Sequence, residues 1–157
     1  LEHRRQRQMC IRDRYKDSFL KVKNEGINIT IHAGEGDGVH SIQEALDNGA
    51  KRIGHGVRII EDINDDNQLG PTADHVLQNN IPLEVCITSN LHTNMYKNPQ
   101  DHPISRLHNL GFNISLNTDN RLMSNTSIYN ELNVAKAAGI ENPTSLLKYS
   151  ASDSFLN

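Results

Sequence analysis

The chain has 157 residues, 36% of them hydrophobic and 22% charged, with no Trp and a net charge of −3. That length sets one domain as the expectation, and the charge balance gives no reason to expect nucleic acid or an anionic membrane as a partner. No run approaches the ~18 apolar residues of a membrane span, and no apolar signal-peptide region stands out.

The first fourteen residues differ from the rest. Five of the nine arginines lie there: Arg4, Arg5, Arg7, Arg12 and Arg14. A basic targeting arm is one reading of that composition. We favour an unstructured, non-native leader over residues 1–14 and one folded domain over 15–157.

Residues 15–25 read as a helix with Phe19, Leu20 and Val22 as its apolar side chains and Gly26 as its stop. Residues 27–31 are β-branched and strand-like. A helix follows over 39–48, with Val39, Ile42 and Leu46 on one face. Ser41 and Glu44 have capping-box spacing there, and Asp37 is a rival cap. A very short strand is expected at 51–54. The Asp- and Asn-rich stretch 61–67 reads as a solvated loop, with an acidic cation site as the alternative.

The next helix runs over 69–79, with Leu69, Ala73, Val76 and Leu77 aligned. A third strand spans 83–87. It contains Cys86, which reads as an inert core thiol. Cys10 and Cys86 have no metal or redox spacing, which fits a reducing, cytoplasmic compartment. Asp101-His102-Pro103 opens another helix, with Ile104, Leu107 and Leu110 inward and Gly111 as its end. Residues 112–116 form the fourth strand. A helix at 127–138 follows, and Asn142-Pro143 starts a last helix toward Phe155. Strands alternating with helices mean a parallel sheet with right-handed crossovers.

Each strand is followed by a short polar cluster: His32-Ala33-Gly34-Glu35, Gly54-His55-Gly56, Thr88-Ser89-Asn90 and Asn117-Thr118-Asp119-Asn120. In a (β/α) barrel such clusters converge on the rim at the carboxyl ends of the strands, where active sites sit. Two His, a Glu and an Asp on one rim suit a metal-assisted hydrolase. Taken singly, each has a duller explanation. A strand-end His is more often a hydrogen-bonded structural residue, and an Asp before a helix is usually a cap. The shared rim is what argues for a site. A catalytic zinc takes three protein ligands, and an unaided count nominates His32, His55 and Asp119. The glycine-rich turn of Gly34, Gly36 and Gly38 lacks the order of a phosphate loop. His40, His75, His92, His102 and His108 read as surface or capping residues.

The ordered set His32-Ala33-Gly34-Glu35, Arg52-Ile53-Gly54-His55-Gly56 and Asn117-Thr118-Asp119-Asn120, supported by residues 82–86 and Ser89-Asn90, resembles the adenosine deaminase family. The resemblance covers about 15–157. It implies a (β/α)8 barrel with one zinc ion, a small-molecule purine nucleoside as substrate, and no role for nucleic acid or membrane; no protein partner can be inferred. The implied roles make His32 and Asp119 zinc ligands and Glu35 the proton donor to purine N1. His55 then orients or stabilises the zinc-bound hydroxide and is not itself a ligand. Gly34 and Asn120 become substrate-binding residues. Asn120 stands where many members carry a second Asp at purine N7; an amide NH2 suits that acceptor at any pH.

The implied reaction is deamination of adenosine and 2'-deoxyadenosine to inosine and ammonia in purine salvage. An adenine or N6-substituted adenine nucleotide deaminase is an alternative on the same barrel. A non-catalytic half-barrel binding module is another. The nucleobase deaminases with an H-x-E and P-C-x-x-C signature are excluded, since neither string occurs. The family's two further zinc ligands form a His-x-His pair on its first strand, and no two His here are one residue apart. The chain therefore resembles the C-terminal half of the barrel, about four βα units, inactive alone. The sheet face toward the absent strands is expected to be apolar.

Overall fold

The computed structural model describes residues 15–147 and Phe155. The leader expected at 1–14, and most of the last helix expected to run toward Phe155, lie outside the described residues. Four strands, β1 (Ile29–Ala33), β2 (Ala50–His55), β3 (Leu83–Val85) and β4 (Ile114–Leu116), form one sheet in chain order, every neighbouring pair parallel. The helices are α1 (Lys16–Asn24), α2 (Val39–Asp47), α3 (Pro71–Gln78), α4 (Ile87–His92), α5 (Ile104–Asn109) and α6 (Ile128–Ala137). This is a run of consecutive parallel βα units, as the alternation implied, and it has the form that the resemblance expects of part of a (β/α)8 barrel.

Strand alternation divides the side chains between two faces. Ile31, Ala33, Ile53, Leu83, Val85, Ile114 and Leu116 are buried in one core with Ile42, Ala45, Val76, Leu107 and Ala135 of the helices. The other face is polar, not apolar as expected. Arg52 Nε lies 3.0 Å from Glu84 Oε1 and donates to Thr30 Oγ1 at 3.1 Å. The Phe155 ring covers the guanidinium, 4.4 Å from its Cζ. Thr30, Arg52, Glu84 and Ser115 are the residues that alternate with the buried hydrophobes, so this face follows from the same period that builds the core.

Several local expectations change. β1 runs two residues further than expected and takes in His32 and Ala33, while β3 stops at Val85. Residues 87–92 are helical because Glu131 on α6, fully buried, accepts the Thr88 N–H at 3.2 Å and the Thr126 hydroxyl at 2.8 Å. A carboxylate at a helix N-terminus satisfies its open donors and its dipole. The Ser41–Glu44 capping box is not formed. Gly38 is the N-cap of α2, and the Ser41 hydroxyl instead donates to Gly38 O and accepts the Gly34 N–H, both at 2.8 Å.

The 61–67 stretch is not wholly solvated loop. Val57–Asp62 is a 3-10 turn, and Asp62 Oδ2 accepts the N–H groups of Thr72 and Ala73, both at 2.9 Å, at the start of α3. Asn98 and Asp101 form a capping box around a 3-10 turn at Pro99–Asp101, and α5 begins only after Pro103. The last helix is a 3-10 turn, Pro143–Leu147, in its described part. Among the described residues no helix is long and apolar enough to cross a membrane.

Glu131 ties α4 to α6 through groups that water does not reach. Glu131→Ala leaves two buried donors unpaired, each costing about 1–3 kcal/mol. We expect a loss of roughly 2–5 kcal/mol, read as a lower denaturant midpoint in the intact protein. A change within a few tenths would show that water replaces the carboxylate.

Candidate active site

The rim at the carboxyl ends of the strands carries the expected side chains. His32, next to last in β1, is paired in register with Gly54 of β2. A Cβ at position 54 would stand 3.0 Å from His32 Cγ, so the absence of a side chain there makes room for the imidazole. Glu35 follows Gly34, which turns the chain with φ 65°. The Gly34 N–H is given to Ser41 and its carbonyl accepts from Arg58 N at 3.1 Å. Gly34 thus shapes the turn that presents Glu35.

His55 ends β2 with φ 63°, and Asp119 lies after β4 with φ 54°. Left-handed backbone is uncommon for residues with a Cβ. Alternation alone would put His55 on the helix side with Ile53. The change of backbone at His55 breaks that alternation, and its ring lines the cavity with His32. The two ring centroids are 5.5 Å apart. His55 Nε2 stands 3.8 Å from Glu35 Oε2. The Ser89 hydroxyl donates to Asp119 Oδ2 at 2.7 Å. Asn120 Oδ1 accepts the Met123 N–H at 3.0 Å. His32, Glu35, His55, Ser89, Asp119 and Asn120 line one cleft of about 720 Å³. The sequence-nominated residues, Gly34 apart, share a single cavity.

Burial is the main influence on His55 and lowers its pKa below the usual imidazole value. The His32 ring acts in the same direction, while Glu35 and Asp119 oppose it. Cys86 is buried, and burial followed by the charges of Asp119, Glu131 and Glu84 pushes its thiol far above the ordinary range. That matches the inert thiol expected.

His102 is a correction. It is not on the surface: it is 3% exposed, packed edge-on against Tyr96 with ring centroids 4.9 Å apart. Its Nδ1 accepts the Ile104 N–H at 3.2 Å, so the capping half of the reading holds. Its Nε2 lies 3.2 Å from Asn90 Oδ1, and Asn90 Nδ2 lies 3.2 Å from His55 Nδ1. Sequence reasoning placed Asn90 in one of the strand-end clusters and in the resemblance, without giving it a role. No local pattern connects residues 55, 90 and 102; the sheet brings them together.

Among the described residues no three His, Cys, Asp or Glu side chains cluster as a metal site. His32 and Asp119 present an imidazole and a carboxylate to the same cleft. Both are zinc-type donors, and Ser89 holds one Asp119 oxygen and leaves the other. The donors fit part of a zinc ligand set.

A family model described as adenosine deaminase matches residues 5–150, beginning inside the arginine-rich segment. The chain belongs to the adenosine deaminase family. Adenosine deaminase 1 of Streptomyces coelicolor is 48% identical over 123 residues, covering 75% of this chain and 31% of that protein. The chain thus spans about a third of that curated relative. Among solved structures, the Arabidopsis N6-mAMP deaminase is 26% identical with a TM-score of 0.73, over 90% of this chain and 41% of that one. An adenine deaminase from Arthrobacter aurescens (21% identical, TM-score 0.72, 90% and 44% of the two chains) shares the fold. So does a zinc-bound amidohydrolase from Burkholderia ambifaria (19%, TM-score 0.64, 89% and 36%).

Burial lowers the His102 pKa from 6.5 to about 4. Between those values the unfolded chain binds the proton and the folded chain does not. Stability is therefore full above pH 6.5 and falls as the pH drops toward 4, by up to about 1.4 kcal/mol per unit. His102→Leu should remove this share of the acid sensitivity. The check is the difference between denaturant midpoints at neutral and acidic pH, in wild type and variant; equal differences would contradict it.

Proposed function

We propose that this chain is the C-terminal half of the catalytic barrel of an adenosine deaminase, acting in cytoplasmic purine salvage. The reaction is adenosine (or 2'-deoxyadenosine) plus water to inosine (or 2'-deoxyinosine) plus ammonia. The observation that carries this reading is the convergence of Glu35, His55, Asp119 and Asn120 with His32 on one cleft, from the ends of β1, β2 and β4.

His32 and Asp119 would hold the zinc ion, with the remaining ligands from outside the described residues. When bound, the ion lowers the pKa of a water so that it becomes a nucleophile near neutrality. The chain's own groups handle the purine. The Glu35 carboxyl donates a proton to N1, which raises the electrophilicity of C6. Asn120 uses its carbonyl oxygen on the Met123 N–H, so the end of its amide available to a ligand is the NH2 donor, matched to the N7 acceptor. Ser89 fixes the Asp119 carboxylate, and His55, beside Glu35 in the cleft, would orient the attacking oxygen. Addition of water at C6 and loss of ammonia complete the exchange. The 48% identity to a named adenosine deaminase, against 26% to the N6-mAMP deaminase, supports adenosine over a nucleotide as substrate.

In the intact protein, Glu35→Gln should keep its zinc and lose at least roughly 100-fold in ammonia release. His55→Ala should also retain zinc, measured by metal analysis. Loss of zinc from His55→Ala would restore His55 as a ligand and overturn the assigned role. Loss of zinc from Glu35→Gln would make Glu35 structural.

Residues 1–157 alone, with two donors and open strand edges at β1 and β4, should bind zinc weakly, self-associate and release no ammonia. A monodisperse monomer with turnover would refute the half-barrel reading.

A further inference from the structure

We infer that His102 is a positioning residue: acting through Asn90, it fixes the tautomer of His55 so that the neutral ring carries its proton on Nε2, toward the cleft. The inference takes its catalytic meaning from the proposed deaminase reading, but the hydrogen-bond roles stand without it.

The argument starts from a group whose role cannot change. The Ile104 backbone N–H donates, so His102 Nδ1 must accept and carries no proton. The neutral His102 ring then has its proton on Nε2, which donates to Asn90 Oδ1. With its oxygen so used, the Asn90 amide turns its NH2 toward His55 Nδ1, which must accept. The His55 proton is left on Nε2, the nitrogen that stands 3.8 Å from Glu35 Oε2.

Reversal at any point meets two donors face to face. Flipping the Asn90 amide opposes its NH2 to His102 Nε2–H. Moving the His102 proton to Nδ1 opposes it to the Ile104 N–H. Water cannot relieve these clashes, because Asn90 is 0%, His55 2% and His102 3% exposed. Tyr96 packs edge-on against the His102 ring, and burial holds that ring neutral with a pKa of about 4.

The consequence separates two readings that sequence spacing left open. A His that binds a metal through Nε2 needs its lone pair there and its proton on Nδ1. The relay forbids that form. It leaves His55 a hydrogen-bond donor to the cleft, able to orient an oxygen, and keeps it out of the ligand set.

The test uses the intact protein with 15N-labelled histidine, read by long-range 1H–15N correlation at neutral pH with and without added zinc. His55 and His102 should both show the Nε2–H pattern. Asn90→Asp offers only acceptors, so His55 should gain a proton at Nδ1, with kcat/KM for adenosine falling roughly 10–100-fold. His102→Gln keeps a donor for Asn90 Oδ1 and should preserve both the His55 pattern and most of the activity. His102→Phe removes the donor and should give mixed His55 tautomers. A wild-type His55 protonated on Nδ1, or an unchanged pattern in both Asn90→Asp and His102→Phe, overturns the inference. Should the variants fail to fold, the wild-type spectrum decides alone. Absence of adenosine turnover together with the Nε2–H pattern would count against the proposed function and leave the relay standing.

Discussion

His55 and Asp119 leave the sheet in left-handed backbone conformations, at φ 63° and 54°. For residues with a Cβ this costs of order 1–2 kcal/mol each. Such strain persists only where the surroundings over-determine it. Here one short helix does so for both residues. α4 lies between β3 and the following turn, and its consecutive Ser89 and Asn90 reach different partners, Ser89 the Asp119 carboxylate and Asn90 the His55 ring. A six-residue helix is too short to hold itself. Its N-terminus is held by Glu131 from α6, and Asn90 is held in turn by His102 just before α5. The placement of the cleft's side chains therefore depends on hydrogen bonds between elements far apart in sequence, and strand geometry alone does not set it.

That distinction explains what sequence reasoning reached. Strands were visible because β-branched runs such as residues 27–31 and the Gly-terminated helices obey local rules. The clusters at the strand ends were visible because polar residues interrupt apolar runs there. α4 was missed because its capping carboxylate lies 43 residues away, and no window around Thr88 contains it. His102 was misread because His-Pro before an apolar run resembles a surface cap. It does cap Ile104, but Tyr96 and Asn90 enclose it. The polar sheet face, by contrast, was available to a closer reading. Thr30, Arg52, Glu84 and Ser115 each sit one step from a buried hydrophobe.

The polar face also bears on how the sheet joins its surroundings. Arg52 and Glu84 are only 18% and 22% exposed, and they are already paired with each other. Covering an unpaired ion is costly, whereas covering a pair removes less solvation and strengthens the attraction that remains. Thr30 and the Phe155 ring take further surface of the guanidinium. Pairing therefore lowers the cost of covering this face relative to covering either ion alone.

Under the proposed function the chain's contributions to the site are unequal. Among the described residues two zinc-type donors, His32 and Asp119, are assigned to the ion, fewer than the three protein ligands of a catalytic zinc. Yet Glu35, His55 and Asn120, all three of the groups assigned to protons and hydrogen bonds at the purine and the attacking oxygen, lie within this chain. These groups need fixed donor and acceptor identities more than they need a metal. The Ile104 N–H, His102, Asn90 and His55 chain fixes one of them, and the Met123 N–H fixes the Asn120 amide by the same logic. In both cases a backbone N–H, which cannot reverse its role, is the reference point. Side chains that could present either end to a ligand are thereby committed to one.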